Sequence, residues 1–192
     1  MIRVVGPSDP ADLQAQAINT TSRSVTWSRN LSPFLVGPID LYSGHKAENL
    51  ENAWQYSKVY PVHFDEDKDE VKQDYFDWAK MGWSNKRGVR YPMGKRKPLF
   101  SLWEGQRLDY VTARKKIYAP LYSKAVEKTY AWRQLKQEYN KTGNIVLWDF
   151  DSYDHNARGM SWNDVMNNDK DKMGHGFVLA MMLEGKLKEA IS

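Results

Sequence analysis

Hydrophobic and polar positions repeat with helical spacing between Asn49 and Lys58. The apolar stripe, at i, i+3, i+4 and i+7, consists of Leu50, Ala53, Trp54 and Ser57. This spacing predicts a helix whose apolar face, including the Trp, is buried in the core. The polar stripe beside it consists of Glu51, Gln55 and Lys58. Asn49 is placed to cap the helix, and the polar stripe lies either in solvent, as most such rows do, or against a ligand pocket.

Strand patterns occur near both ends of the chain. The clearest covers Asn144–Phe150, which begins with β-branched residues. Alternation along this segment places Asp149 and Asp151 on the same side of the strand. A short strand is also predicted at Ile2–Val5, and another around Val36–Leu41, where an internal Gly-Pro favours the edge of a sheet.

The remaining patterns predict helices separated by long loops. One helix is expected over residues 70–80 and two between Trp103 and Tyr139, broken or bent near Pro120. A closing helix follows the sequence Gly174-His175-Gly176. Residues 81–98 are rich in Gly, Pro and basic side chains and form a long loop, which is often a functional feature. These elements predict an α+β, mostly helical fold, with residues 1–29 packed as a segment on a domain formed by residues 30–192.

Composition narrows the classes of function. The chain has 192 residues, a formal charge of +4 and no cysteine, so disulfides and thiolate metal sites are excluded. The histidines lack zinc-site spacing, and no Walker A, Rossmann or nucleophile-elbow motif is present. We therefore expect neither a metal nor another cofactor. Without a recognisable signal peptide or long apolar span, we expect a cytoplasmic protein that does not bind a membrane.

Aromatic and basic residues point to the class of ligand. Eight Trp and eleven Tyr can fill a core or stack on nucleobases. Basic side chains are concentrated in one loop, at Lys86, Arg87, Arg90, Lys95, Arg96 and Lys97. Such a cluster suits phosphate contacts or the backbone of a nucleic acid.

Four segments, in order, are similar to those of a known superfamily. They are Asn30–Phe34, Leu50–Lys58, Lys97–Glu104 and Met173–Met182. In the second segment Glu51, Gln55 and Lys58 keep the superfamily's register, whereas Asn52 stands where a His is usual. Over roughly residues 30–187 the chain thus resembles the NADAR (YbiA-like) superfamily of N-glycosidases, which act on ADP-ribose-like and ribosylated-base substrates.

The resemblance implies hydrolysis of the base–ribose bond in an ADP-ribosylated nucleobase. ADP-ribosylguanine in DNA and a small ribosylaminopyrimidine phosphate are both substrates within this class. Implied catalytic residues are Glu51, Trp103, Asp149 and Asp151. Implied substrate contacts come from Gln55, Lys58, Arg114, Trp148 and His175.

Cleavage of an N-glycosidic bond passes through an oxocarbenium-like ribose. One carboxylate stabilises the developing charge, and a second acid or base orients water. Glu51 is the expected first group, and the second is one of Asp149, Asp151 and Asp154, any of which could instead cap a turn. Trp103 would form a stacking wall or lie in the core. The backbone around His175 could present N–H groups to phosphate or simply lead into the helix.

Two other functions fit the same residues. One is a non-catalytic protein that binds ADP-ribose or nucleic acid through the same pocket. The other is an accessory protein that binds nucleic acid through the basic loop alone, which would make its affinity strongly dependent on salt.

Overall fold

A three-stranded parallel sheet lies at the centre of the protein, in a computed structural model that describes all 192 residues. Its strands are β1 (Ile2–Val5), β2 (Ile18–Asn19) and β10 (Ile145–Trp148), with β10 in the middle. Ile2 pairs with Ile145, and Val5 pairs with Trp148. Residues 1–29 therefore supply two strands of the central sheet in addition to packing against the remainder of the chain.

Short strands and helices make up the remainder of the fold. The other strands are β3 (Ile39–Asp40), β4 (Lys46–Ala47), β5 (Lys58–Val59), β6 (Phe64–Asp65), β7 (Glu70–Val71), β8 (Phe100–Trp103) and β9 (Gln106–Leu108). The helices are α1 (Ala11–Gln16), α2 (Leu50–Gln55), α3 (Gln73–Trp83), α4 (Tyr110–Ala113), α5 (Ala119–Val126), α6 (Tyr130–Thr142), α7 (Trp162–Asn167), α8 (His175–Leu183) and α9 (Leu187–Ala190). Single turns of 3-10 helix occur at Trp27–Leu31, Tyr42–Gly44 and Pro61–His63. None of the helices combines the length and apolar composition needed to cross a bilayer.

Helix α8 packs against α5 and the sheet strands β1 and β10. Its residues from His175 to Met181 are all buried, as expected for a helix that is apolar around its whole circumference. This buried helix begins at the carboxyl end of β10, so the core itself brings residues 149–151 close to residues 174–176.

The predicted class, α+β and mostly helical, is confirmed. The predicted strands at Ile2–Val5 and near the end of the chain are present, and so are α3 and α8. Asn49 caps α2 as predicted, because its side chain accepts a hydrogen bond from Asn52 N at 2.9 Å. However, α2 ends at Gln55, so Lys58 lies on β5.

The sequence predicted that a helix begins at Trp103. Instead, Trp103 is the last residue of strand β8. Strands β8 and β9 form a hairpin in which Trp103 pairs with Gln106. Glu104 and Gly105 form its two-residue turn, with φ values of 50° and 77°. Positive φ at both central positions gives the twist that suits such a hairpin, and this local geometry prevails over the helical pattern.

Pro120 does not break the helix that contains it. A π turn over Arg114–Tyr118 joins α4 to α5, and Pro120 lies in the first turn of α5. The change of hydrogen-bond register at the π turn accommodates a residue that has no N–H to donate. The actual break comes later, where Thr129 caps α6 by accepting from Trp132 N at 3.1 Å.

Replacing Leu147 in the middle of β10 tests the central position of this strand. Leu147→Ala should lower the free energy of unfolding by about 3 kcal/mol, because the side chain is fully buried and its removal leaves a cavity. Val146→Ala is the matched control, since Val146 points to the opposite, half-buried face, and it should cost about 1 kcal/mol. Urea denaturation measures both, and equal losses would contradict the proposed layering.

Candidate functional site

A cleft of about 750 Å³ opens beside the carboxyl end of β10. Its walls come from α2, the loop 84–99, the π turn with the start of α4, and residues 169–175. Of the nine residues predicted as catalytic groups or substrate contacts, seven line it, namely Glu51, Gln55, Lys58, Arg114, Asp149, Asp151 and His175. The core therefore brings together residues that are up to 124 positions apart in the chain, since Glu51 and His175 share this cleft.

The polar stripe of α2 faces the cleft and forms a chain of hydrogen bonds. Lys58 Nζ donates to Gln55 Oε1 at 2.8 Å, and Gln55 Nε2 donates to Glu51 Oε1 at 2.9 Å. Glu51 is 6% exposed and forms no ion pair. Burial raises the pKa of Glu51, and the hydrogen bond from Gln55 and the charge of Lys58 oppose that rise only in part. Burial also lowers the pKa of Lys58 to about 8.

Trp54 lines the same cleft and is only half-buried. The prediction that it is buried in the core with Leu50 and Ala53 is therefore confirmed only in part, because the ring packs against core residues on one side and lines the cleft on the other. Its ring lies 4.7 Å from Lys58 Nζ and 5.3 Å from the centre of the Tyr118 ring. Because α2 contains fewer than two turns and both stripes pack against protein on several sides, helical spacing alone could not separate a core Trp from a cleft Trp.

Asp149 and His175 form a buried pair at the floor of the cleft. Asp149 Oδ2 lies 3.0 Å from His175 Nδ1 and accepts from Gly176 N at 3.1 Å. His175 Nε2 lies 2.9 Å from the carbonyl oxygen of Thr20, an acceptor, so this nitrogen carries the hydrogen. Both ring nitrogens are thus engaged within the protein. The contact predicted here was through backbone N–H groups, and those of Gly174 and Gly176 donate to the Asp151 carbonyl and to Asp149 Oδ2.

Charge and burial act in opposite directions on this pair. Burial alone would lower the pKa of His175, but the charge and hydrogen bond of Asp149 raise it overall. Burial alone would raise the pKa of Asp149, but His175 and the backbone N–H of Gly176 lower it overall. The pair is therefore best described as a carboxylate and an imidazolium that join β10 to the first turn of α8.

Asp151 lies opposite α2 and is paired with cations. Its carboxylate accepts a short hydrogen bond from the Arg90 guanidinium, and Lys172 Nζ lies 3.7 Å away. Lys172 also donates to the hydroxyl of Tyr91 at 2.9 Å. Asp151 remains about a third exposed, so a ligand in the cleft can reach its carboxylate.

The guanidinium of Arg114 is committed to protein carbonyl groups. Its Nη1 donates to the carbonyls of Val165, Met166 and Asn168, and its Nη2 donates to that of Asp171. These carbonyls belong to the end of α7 and the loop after it, where helical partners are lacking. Arg114 therefore stabilises one wall of the cleft, which corrects its predicted role as a direct substrate contact.

Three other predicted residues lie outside the cleft. Trp103 packs edge-to-face on Tyr42, with ring centres 4.8 Å apart. The indole N–H of Trp148 donates to Gln14 Oε1 at 3.0 Å. Asp154 accepts from the backbone of Asn156 at 3.1 Å and lies 3.7 Å from Arg3 Nε. Core packing explains Trp103, whereas turn formation explains Asp154, and none of the three is positioned to touch a ligand.

Asn52 has a structural function that the sequence did not predict. Its side-chain amide donates to the carbonyls of Asn85 at 2.7 Å and Arg87 at 3.0 Å, and its oxygen accepts from Val89 N at 2.8 Å. The basic loop is thereby held against α2, which places Arg90 beside Asp151. The only sequence signal was the pair of Asn residues that flank Glu51 one turn apart.

Tyr118 is a further cleft residue, and the sequence alone does not distinguish it from a core aromatic residue. It is 7% exposed, yet it lines the cleft. Its ring lies parallel to that of Tyr122, with the centres 6.3 Å apart. No group of three or more His, Cys, Asp or Glu side chains in the protein is arranged to hold a metal ion.

Comparison with known proteins identifies one related group. A family model described as "Family of unknown function (DUF6939)" matches residues 11–161 of the chain. No curated protein and no solved structure matches the chain significantly. The matched region includes the whole cleft except the wall formed by residues 169–175.

Asp149→Asn tests the buried pair through the pH dependence of stability. The raised pKa of His175 contributes stability that is complete below its ordinary value of 6.5 and is lost as the pH rises through the folded pKa. The lowered pKa of Asp149 contributes stability that is complete above its ordinary value of 3.8 and is lost as the pH falls through the folded pKa. Between these two pH values the free energy of unfolding of the variant should fall by about 3 kcal/mol relative to wild type. At higher pH the decrease should be smaller.

Urea denaturation at about pH 5 and about pH 9 measures this difference. Asp169→Asn is the control, because Asp169 is exposed at the cleft and forms no ion pair; its stability should match wild type at both values. The same loss for Asp149→Asn at both pH values would show that the pair is not ionised.

Proposed function

The chain belongs to the family of unknown function DUF6939. From the residues of its cleft, we propose that the protein is an N-glycosidase that hydrolyses the base–ribose bond of an ADP-ribosylated substrate. ADP-ribosylguanine in DNA is the substrate to test first, which would make the protein an enzyme that reverses ADP-ribosylation. A small ribosylaminopyrimidine phosphate is the second substrate within the class.

The observation that carries the proposal is the state of Glu51. Its carboxylate is buried at the wall of the cleft, touches only the amide of Gln55, and has a raised pKa. Raising the pKa of a carboxylate toward neutrality makes it a better base at physiological pH. A carboxylate that only stabilises a helix surface is exposed, and the second carboxylate of this cleft, Asp151, is already paired.

The proposed reaction uses the two carboxylates in different ways. Glu51 accepts a proton from water as the water oxygen bonds to C1 of the ribose. The bond from C1 to the base nitrogen breaks, its electron pair leaves with the base, and a proton returns to that nitrogen. The products are the free base and ADP-ribose with a hydroxyl at C1. Asp151 with its cations faces α2 and offers polar contacts to the sugar.

The mouth of the cleft suits a diphosphate. Arg23, Lys97 and Lys170 line the cleft, are exposed and form no ion pair. Arg23 lies 5.0 Å above the ring of Phe150, so cationic and aromatic surfaces adjoin. Unpaired guanidinium and ammonium groups are the usual partners of phosphate oxygens.

The proposal needs no cofactor and no membrane partner. Its partners are the ADP-ribosylated nucleobase and the nucleic acid that carries it. We place the activity in the cytoplasm, in keeping with the absence of cysteine.

One observation favours a second candidate, a non-catalytic protein that binds ADP-ribose or nucleic acid. Asp149 is locked to His175 and Asp151 is paired with Arg90, so Glu51 is the one buried carboxylate of the cleft that forms no ion pair. If two freely titrating acids are required for hydrolysis, this cleft would bind its ligand without cleaving it. Tight binding of ADP-ribose without any release from ADP-ribosylated DNA is the result that would establish this alternative.

Glu51→Gln tests the proposed catalytic base. The variant keeps a hydrogen-bonding side chain of the same size but cannot accept a proton, so release of ADP-ribose from ADP-ribosylated DNA should fall at least about 100-fold. Glu48→Gln is the matched control, because Glu48 is exposed one turn before Glu51, and it should retain the wild-type rate. Equal rates for Glu51→Gln and wild type would remove Glu51 from the mechanism.

Lys58→Met tests whether Glu51 acts as an ionised base. The charge of Lys58 lowers the pKa of Glu51 against the larger effect of burial, so its removal should raise that pKa further. Because the ionised form is required, the acidic limb of the profile of kcat/KM against pH should move upward by about one unit. Lys58→Arg keeps the charge and should leave the limb nearly in place. A limb that does not move in Lys58→Met would mean that another group titrates.

A further inference from the structure

The hydroxyl of Tyr118 has no partner in the protein. The residue is 7% exposed, and its ring is held between Trp54, at 5.3 Å, and Tyr122, at 6.3 Å. Tyr122, one turn later, donates its hydroxyl to the carbonyl of Leu31 at 2.5 Å. The Tyr118 hydroxyl donates to no protein group and opens on the cleft. A buried tyrosine normally satisfies its hydroxyl, so this one is left for something that enters the cleft.

The backbone under Tyr118 is unusual in the same place. Tyr118 ends the π turn that begins at Arg114. Single π turns within helices occur frequently at functional sites, because the extra residue re-directs side chains. Here the same turn carries Arg114, which fixes the wall formed by residues 165–171. The π turn and the contacts with Trp54 and Tyr122 therefore fix the direction in which the Tyr118 ring enters the cleft.

The surroundings make this hydroxyl a hydrogen-bond donor. Burial, followed by the charges of Asp149, Glu51 and Asp151, raises the pKa of Tyr118 well above its ordinary value, so the phenol stays neutral at every working pH. Glu51, Asp149 and Asp151 line the same cleft as Tyr118, and none of these carboxylates accepts its hydrogen. A group that enters the cleft therefore meets one donor and several acceptors.

That combination selects the class of ligand. A phosphate would meet carboxylates in the interior, whereas a sugar can donate its hydroxyls to carboxylates and accept from a phenol. The unpaired cations Arg23, Lys97 and Lys170 are exposed at the mouth. A ligand with a sugar at one end and a phosphate at the other would therefore enter sugar first.

We propose that the cleft binds a ribose phosphate with the sugar inward, and that the Tyr118 hydroxyl donates a hydrogen bond to a ribose oxygen and so positions the sugar against Glu51. The choice of ribose over other sugars rests on the proposed N-glycosidase function. The unpartnered hydroxyl and the polarity of the cleft do not depend on it.

Tyr118→Phe tests this assignment with ADP-ribose and ribose 5-phosphate as probes and inorganic phosphate as the comparison. Since no hydrogen bond within the protein is lost, the Tm of the free variant should equal or exceed that of wild type. The Kd values for both sugar probes, measured by titration calorimetry, should rise about tenfold, which corresponds to about 1.4 kcal/mol. The Kd for inorganic phosphate should not change.

Tyr122→Phe is the matched control, because it removes the same hydroxyl from the neighbouring ring. It breaks the hydrogen bond to Leu31, so its Tm should fall while its affinity for both sugar probes stays at the wild-type value. A Tm loss in Tyr118→Phe as large as in Tyr122→Phe would show that the Tyr118 hydroxyl serves the fold, and would overturn the inference.

The release of ADP-ribose from ADP-ribosylated DNA, measured in parallel, separates this inference from the proposed function. Binding of the sugar probes that depends on Tyr118, without any release, would support the inference and refute the N-glycosidase. If wild type releases ADP-ribose while Tyr118→Phe keeps the wild-type probe affinity, kcat and KM, the N-glycosidase function would be supported and the inference about Tyr118 would be refuted. Failure of wild type to bind either sugar probe would overturn the inference.

Discussion

The buried contact between Asp149 and His175 is the constraint on which the arrangement of the cleft depends. It joins the end of β10 to the first turn of α8, and the second ring nitrogen of His175 joins both to Thr20. Thr20 in turn donates from its hydroxyl to the carbonyl of Trp148 at 3.0 Å. There is no room for a larger residue beside the carboxylate, because a Cβ at Gly174 would lie 1.9 Å from Asp149 Oδ2. Three distant segments are thus fixed together at one point, and the floor of the cleft is that point.

Around this floor, several charged and polar side chains are committed to partners within the protein. Arg114 donates hydrogen bonds to carbonyls at the end of α7 and in the loop after it, and Arg90 forms an ion pair with Asp151. Asn52 forms hydrogen bonds with the backbone of the loop that contains Arg90. Among the groups that line the cleft, Glu51 is a buried carboxylate without an ion pair, and the hydroxyl of Tyr118 donates to no protein group. A ligand that enters the cleft would therefore meet both.

The sequence predicted the parts of this site that depend on local pattern and missed those that depend on tertiary partners. The N-cap at Asn49, the polar stripe from Glu51 to Lys58 and the strand before Asp149 follow from spacing and residue type, and all are present. Trp103 was misplaced and the contact of Trp54 with the cleft was missed, because an aromatic residue suits a core and a cleft equally well. The role of Arg114 was misjudged because the carbonyl groups that accept from its guanidinium belong to residues about 50 positions away, and the partner of the His175 ring is likewise 155 positions away. No window of sequence contains that information.

The π turn at Arg114–Tyr118 also bears on how such a cleft tolerates changes in chain length. A π turn contains one residue more than the α-helical turn it replaces, and one residue corresponds to a rotation of about 100° along a helix. A deletion within this turn would restore an ordinary helix but would turn either Tyr118 or the buried face of α5, including Tyr122, away from its present surroundings. The exposed hairpin turn at Glu104 and Gly105 could accommodate an insertion or a deletion. The π turn, which begins only nine residues later at Arg114, could not. Along this stretch of the chain, the number of residues is under tighter restriction than most of their identities.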